Sequence, residues 1–425
     1  GYSEIPKLHG QTIGFRSFLK TTTYSKLTFE YHHMEEFRRG GDLLNRPPHE
    51  ANVAEQTEHS INGGGLKFDY FSPNENHRFN VFASAQHINR DSYYGPGDRD
   101  PLDAYGNTTD LNWMAGSQYV YSFGKCIFMP SDLTAGIEFN QDKLEDNMWG
   151  YNRTVDQKVN IGSAFLQNEW KNDHWGFLIG GRLDKHNLID HVIFSPRANL
   201  RYNPTENINL RFSYSSGFRA PQAFDEDLHV ENVGGNVAMV ELADNLKEER
   251  SQSLSASADI YHRFGAFQVN FLVEGFYTKL SDVFALTDGE VVDGILTRTR
   301  HNASGAQVLG LTLEGKMAYL NKFQIQAGVT LQQSHYSEPH EWNPDAPAVK
   351  KMMRTPNTYG YFTATYTPVK PLSIALSGTY TGSMLVPHEP VPGFLEKPIT
   401  VNTKDFFDIG LKAAYDFKLY KSMNL

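Results

Sequence analysis

The sequence predicts an all-β chain folded as a transmembrane, antiparallel, up-and-down β-barrel. Three observations carry that prediction. Apolar and polar residues alternate with a period of two; short and long linkers alternate between the alternating stretches; and many stretches exceed the roughly 5–6 residues of an ordinary strand.

The clearest alternations, in chain order, begin at Ile208. In "INLRFSYSSGF" Ile208, Leu210, Phe212 and Tyr214 oppose Asn209, Arg211, Ser213 and Ser215, and "FQVNFLVEG" repeats the pattern from Phe267. In "FQIQAGVTLQQS" Phe323, Ile325, Ala327, Val329 and Leu331 share one face, and Gln324, Gln326, Gly328, Thr330 and Gln332 share the other. In "LSIALSGTYT" Leu372, Ile374, Leu376 and Tyr380 oppose Ser373, Ser377, Thr379 and Thr381. A helix would repeat its apolar residues at three and four, so these are strands.

Short turns fall near 19–24, 72–77, 123–132, 171–174, 203–207, 262–266, 320–323 and 367–371. Longer stretches fall near 39–56, 91–108, 145–155, 186–192, 219–250, 283–300, 336–356 and 383–404. The two kinds alternate throughout. Antiparallel up-and-down strands then carry every short turn at one end and every long loop at the other, as outer-membrane barrels do. Counting linkers gives about 17 strands, and a strand crosses the hydrocarbon with roughly 9–11 tilted residues. Aromatics gather near strand ends (Tyr93 and Tyr94, Trp149 and Tyr151, Trp170 and Trp175, Tyr359 and Tyr361), as an interfacial girdle requires. A soluble sandwich also alternates, but it rarely sustains so many long strands with this loop asymmetry.

Composition narrows the function. The 425 residues carry a net charge of -10, which argues against nucleic acid, because phosphate binding needs a basic face. The one cysteine, Cys126, allows no internal disulfide and reads as a small hydrophobe. Nothing approaches the ~18 consecutive apolar residues of a membrane helix, and barrel strands never show such a run. No linker, fixed-length repeat or low-complexity segment divides the chain, so residues 1–425 read as one barrel domain.

Five stretches carry a family resemblance: "SYSSGFRAPQAFDEDLH" (213–229), "NLKEERSQSLSASADI" (245–260), "FLVEGFYTKLSDVF" (271–284), "HNASGAQVLGLTLEG" (301–315) and "YSKLTFEYHHMEEFRRGGDLLNRPPHEANVAEQ" (24–56). Together they resemble the TonB-dependent outer-membrane receptors, particularly those of Bacteroidetes-type bacteria, over essentially the whole chain. The resemblance implies a barrel of about 22 strands with a plugged lumen, so these residues are expected to be a barrel truncated at both ends, without its plug. It implies uptake of a scarce nutrient (a siderophore, cobalamin or haem) captured by extracellular loops. It also implies coupling to the TonB complex through the missing plug and box, embedding in outer-membrane lipid, and a surface-exposed lipoprotein partner. A passive porin-like channel, or a glycan importer of the same family, is the alternative.

The candidate site residues lie in the long loops. Arg219 precedes Pro221, which cannot donate to a ladder and should end pairing. Its guanidinium is suited to a carboxylate or phosphate; the competing expectation is a rim ion pair with Asp225 or Glu226. Asp225 and Asp227 lie where a ligand would first arrive. In haem-importing relatives a His in this interval is implied as an axial ligand, and His229 occupies it, although the following Ala243-Asp244-Asn245-Leu246 lacks the relatives' proline. Asp98, Asp100 and Asp103 offer hard oxygens suited to a loop calcium, against the plainer reading of a solvated acidic loop. "HYSEPHEW" (335–342) is a weaker transition-metal candidate. Tyr93, Tyr94, Trp149, Tyr151 and Trp342 are candidates for stacking on a ligand, or for the girdle. With no nucleophile elbow, phosphate loop or zinc-protease helix, the chain is expected to be no enzyme and to require no cofactor.

Overall fold

The computed structural model describes residues 3–95, 105–149, 153–223, 237–292, 295–343, 345–388, 395–420 and 423–424. Ten strands follow one another up and down: β1 (Ser3–Thr22), β2 (Ser25–Gly41), β3 (Ala54–Phe71), β4 (His77–Gly95), β5 (Tyr105–Cys126), β6 (Met129–Met148), β7 (Arg153–Lys171), β8 (Trp175–His186), β9 (Ile193–Thr205) and β10 (Ile208–Arg219). After a loop strand β11 (Val237–Leu242), the wall continues with β12 (Glu249–Phe264) and β13 (Phe267–Ser281). A loop hairpin, β14 (Phe284–Val292) and β15 (Ile295–Asn302), precedes β16 (Ala306–Tyr319) and β17 (Phe323–His340). The three-residue β18 (Val349–Lys351), β19 (Thr358–Val369) and β20 (Leu372–Thr381) come next, then a small hairpin, β21 (Leu385–His388) and β22 (Ile399–Asn402), and finally β23 (Phe406–Tyr415).

Each wall strand is antiparallel to the next, in one 18-stranded sheet. Without the short β18, which extends the loop end of β17, the count matches the expectation from the linkers. Among the described residues β1 pairs only with β2, and β23 only with β20. The linkers 23–24, 72–76, 127–128, 172–174, 206–207, 265–266, 320–322 and 370–371 form the turn end, and the other wall linkers, all but 149–152 longer than these, fall at the opposite end. Gly265 turns the β12–β13 hairpin at φ +57°, the left-handed region that glycine enters without steric cost. β10 ends at Arg219, two residues before Pro221, as the missing N–H requires.

The apolar residues line the outside. Ile137, Leu166, Ile179 and Leu411 are each more than half exposed, at 62%, 56%, 63% and 75%. A soluble protein does not leave a continuous apolar face open; a lipid-facing band does. No helix among the described residues is long and apolar enough to cross a membrane. At the turn end Trp175 stacks on Phe177 and Tyr202 (ring centroids 5.6 and 4.2 Å), and Phe128 stacks on Trp170 (5.5 Å), forming the expected girdle there. Tyr93 and Tyr94 do not belong to a girdle. They are 2% and 1% exposed, packed with Ala54 and Met148 at the loop end.

Aromatic rings on the inner face cover glycines of neighbouring strands. A β-carbon would lie 2.3 Å from Phe165 at Gly136, 2.7 Å from Phe82 at Gly116, 2.5 Å from Phe276 at Gly310 and 2.8 Å from Tyr361 at Gly328. Each is a direct cross-strand pair, so the ring fills the space that the glycine leaves and fixes register. The wall is uneven in height. β4 to β7 run 19 to 22 residues, whereas β8 to β10 run 12 or 13. At ~3.3 Å per residue, the difference is roughly 25 Å of strand, which projects β4–β7 beyond the loop end of β8–β10.

Candidate functional site at the loop end

Two long loops are built into one structure above the wall. β11, from the 220–248 loop, pairs in parallel with β15, from the 282–305 loop, and β15 pairs with β14. The Ala243 N–H donates to the Arg300 carbonyl at 3.0 Å. The Lys247 N–H donates to Asn302 Oδ1 at 2.7 Å, while Asn302 Nδ2 donates to the carbonyls of Lys247 (3.1 Å) and Asp282 (2.8 Å). This three-stranded sheet stands on the ends of β10, β12 and β13.

Arg219 sits at its foot. It forms a direct cross-strand pair with Glu249, and its guanidinium lies 5.7 Å from the Phe284 ring centroid, with Arg300 on the same ring at 6.0 Å. Burial pushes the Glu249 carboxyl above its ordinary value; Arg219, the Phe284 N–H and Arg300 offset only part of that. Two guanidiniums, a carboxylate and a ring thus join the wall to the loop sheet. The sequence gives no sign of Glu249 as the partner of Arg219, because cross-strand register is not written locally. Arg298, bound to Asp288 at 2.9 Å, adds a further cation to the loop sheet.

A second polar cluster lies inside the tall part of the wall. Asp146 is fully buried, accepts from Thr108 Oγ1 at 2.5 Å, and lies 3.7 Å from Arg90 and 3.6 Å from Arg153. Arg90 also donates to Thr108 Oγ1 at 3.1 Å. Lower on the inner wall, Arg182 is held between Glu138 (2.7 Å) and Asp184 (2.8 Å). It lines a recess of about 360 Å³ together with Met114, Asn140, Ser163 and Phe218. No sequence motif marked either cluster; each is assembled from separate strands.

The candidate residues named from the sequence divide as follows. Tyr93 and Tyr94 are buried and offer no open face for stacking, because the folded rim packs over both rings. Trp149 stands at the β6 loop end, 66% exposed, and Trp342, in the loop after β17, is partly buried, with no acceptor for its indole N–H among the described residues. Asp98, Asp100, Asp103, Tyr151, Asp225, Asp227 and His229 lie outside the described residues, as does Glu226, an expected partner of Arg219. The 335–342 stretch gathers no metal set, and no group of three or more His, Cys, Asp or Glu side chains able to hold a metal occurs among the described residues.

A membrane-facing apolar exterior, a polar interior, short turns at one end and sheet-forming loops at the other define a transmembrane barrel of the outer-membrane type. Residues 8–425 match the family model for the TonB dependent receptor-like β-barrel, and the chain belongs to that family. No curated protein sequence is similar to it. Among solved structures it resembles the siderophore receptor PirA of Acinetobacter baumannii (14% identity, TM-score 0.74, covering 97% of this chain and 65% of that one). It also resembles the ferric enterobactin receptor PfeA of Pseudomonas aeruginosa (14%, 0.73, 97% and 62%) and the ferric-catecholate import receptor Fiu of E. coli K12 (12%, 0.70, 98% and 69%). At these identities the likeness is one of fold. The chain spans about two thirds of the length of these receptors.

Proposed function

We propose that this chain is the barrel of an integral outer-membrane receptor that captures a ferric siderophore at its loop end for TonB-coupled import. The observation that carries the reading is the loop sheet. Two loops joined by the β11–β15 pairing carry the part-exposed Arg298, with the exposed Arg219 at the foot and the buried Arg300 beneath, at the loop end of a lipid-facing barrel. Guanidiniums suit an anionic oxygen-rich chelate, by charge and by forked hydrogen bonding. The solved structures of similar fold described as siderophore or ferric-catecholate receptors support the same choice. Capture needs no covalent chemistry by the chain; energy for release comes from the TonB complex, and a surface lipoprotein is an accessory partner on this reading.

The test is uptake of a ⁵⁵Fe-labelled siderophore panel by cells carrying the full-length receptor, with and without a functional TonB. TonB-dependent accumulation of a ferric chelate supports the reading. Uptake of cobalamin, haem or an oligosaccharide instead would replace the substrate. Ion conductance in planar bilayers without saturable ligand binding would replace the mechanism by a passive channel.

A further inference from the structure

The end of β8 and the short loop after it, residues 186–192, hold both roots of the 220–248 loop, and they do so through two histidines. At the first root, His186 is fully buried. Its Nδ1 accepts the Leu188 N–H at 3.0 Å, so the ring proton is on Nε2, which faces Gln222 Oε1 at 3.3 Å. Gln222 belongs to the Phe218-Arg219-Ala220-Pro221-Gln222 segment. Beside it Ile189 and Ile193 pack on Ala220 and Phe218, and the Ala223 N–H donates to Gln157 Oε1 at 3.2 Å. At the second root, His191 Nε2 lies 3.0 Å from Glu248 Oε1 and 3.0 Å from the Arg250 guanidinium, which itself binds Glu248 at 2.7 Å.

The two contacts respond oppositely to a proton. A second proton on His186 must sit on Nδ1, where it would face the Leu188 N–H, and the imidazolium would be buried. Among the described residues, the charged groups nearest it are Lys185 and Asp184 on its own strand, Lys158 on β7, and Asp190 and His191 in the 187–192 loop. Asp184 is taken up by Ser163 and Arg182, and Lys185 by the carbonyls of Ile189 and Asp190. Residues 220–223 and the first residues of β9 bring no charge. At His191 either state keeps a partner, because a bare Nε2 accepts from Arg250 and a protonated one donates to Glu248.

We propose that the β8–β9 corner, residues 186–192, is an acid-sensitive latch, releasing the 220–223 root of the long extracellular loop when His186 is protonated while the 248–250 root stays fixed. Burial, ahead of the opposing Gln222 bond, holds the His186 pKa below its ordinary value. The latch is therefore full above the ordinary histidine range and is lost as pH falls through that range toward the depressed value.

Hydrogen–deuterium exchange on the full-length receptor in lipid nanodiscs tests this. After correction for intrinsic exchange, amides of 187–192 and 220–223 should exchange severalfold faster near pH 5 than near pH 7.5, while those of 248–250 hold. In His186→Phe that pH response should vanish, and in His191→Gln it should persist. Equal protection of 220–223 at both pH values, or an unchanged response in His186→Phe, would overturn the proposal. If His186→Phe does not fold, exchange of the imidazole C2 hydrogen in the unaltered protein reports the titration directly: a His186 midpoint at or above the ordinary histidine value overturns it, and a midpoint below, coinciding with loss of protection at 220–223, upholds it.

Discussion

Phe165 lies across Gly136 on the inner face of the wall, as a direct cross-strand pair of β6 and β7. Its ring also carries the Arg182 guanidinium at 6.0 Å. A methyl group at Gly136 would displace the ring and, through it, Arg182. Gly136→Ala should therefore destabilise the barrel by about 1–3 kcal/mol, the cost of overpacking. Urea unfolding in detergent measures it; a variant as stable as the parent would show that the ring yields freely.

The face assignment can be tested on adjacent positions. Ile137 points outward and is 62% exposed, whereas Gln118, paired with Gly136, faces the lumen. Ile137→Arg should cost about 2–4 kcal/mol in a bilayer, as for a cation near the midplane, while Gln118→Arg costs much less. Folding into lipid vesicles, followed by the gel shift of the folded barrel, ranks the two. The reverse ranking would invert the faces.

Asp146 is shared by Arg90 and Arg153 with no solvent access. Asp146→Ala deletes the carboxylate and leaves both guanidiniums in a buried site, at a cost of about 3–5 kcal/mol. The damage should be local: proteolysis at the loop ends of β4–β7 should rise, with little change at the turn end. Unaltered cleavage there would show that the ion cluster contributes little.

Glu248 gives a second pH step. Burial alone would raise its carboxyl, but the Arg250 guanidinium and a backbone N–H outweigh burial and hold it below the ordinary value. A carboxyl held low contributes stability that is complete above its unfolded pKa and is lost as pH falls through the folded one. The 248–250 root should then open only below the ordinary carboxylate range, after the His186 contact has gone. Glu248→Gln should weaken that root at neutral pH by about 1–3 kcal/mol and abolish the lower step in amide exchange. A single transition shared by both roots would contradict the separation.

The sequence by itself determined the barrel class, the strand number, the turn and loop ends, and the face of residues such as Leu331 and Gln326. Those follow from neighbours in the chain, since successive side chains of a strand point to opposite sides and a two-residue turn has few conformations. It also located the Phe218–Pro221 segment at the rim. The tertiary structure alone decided that Arg219 meets Glu249, that Tyr93 and Tyr94 are buried at the loop end, that β11 runs parallel to β15, and that one short loop touches both roots of a long one. These contacts join residues far apart in sequence. Their energy depends on register and on which loop packs over which, and no local alternation encodes either.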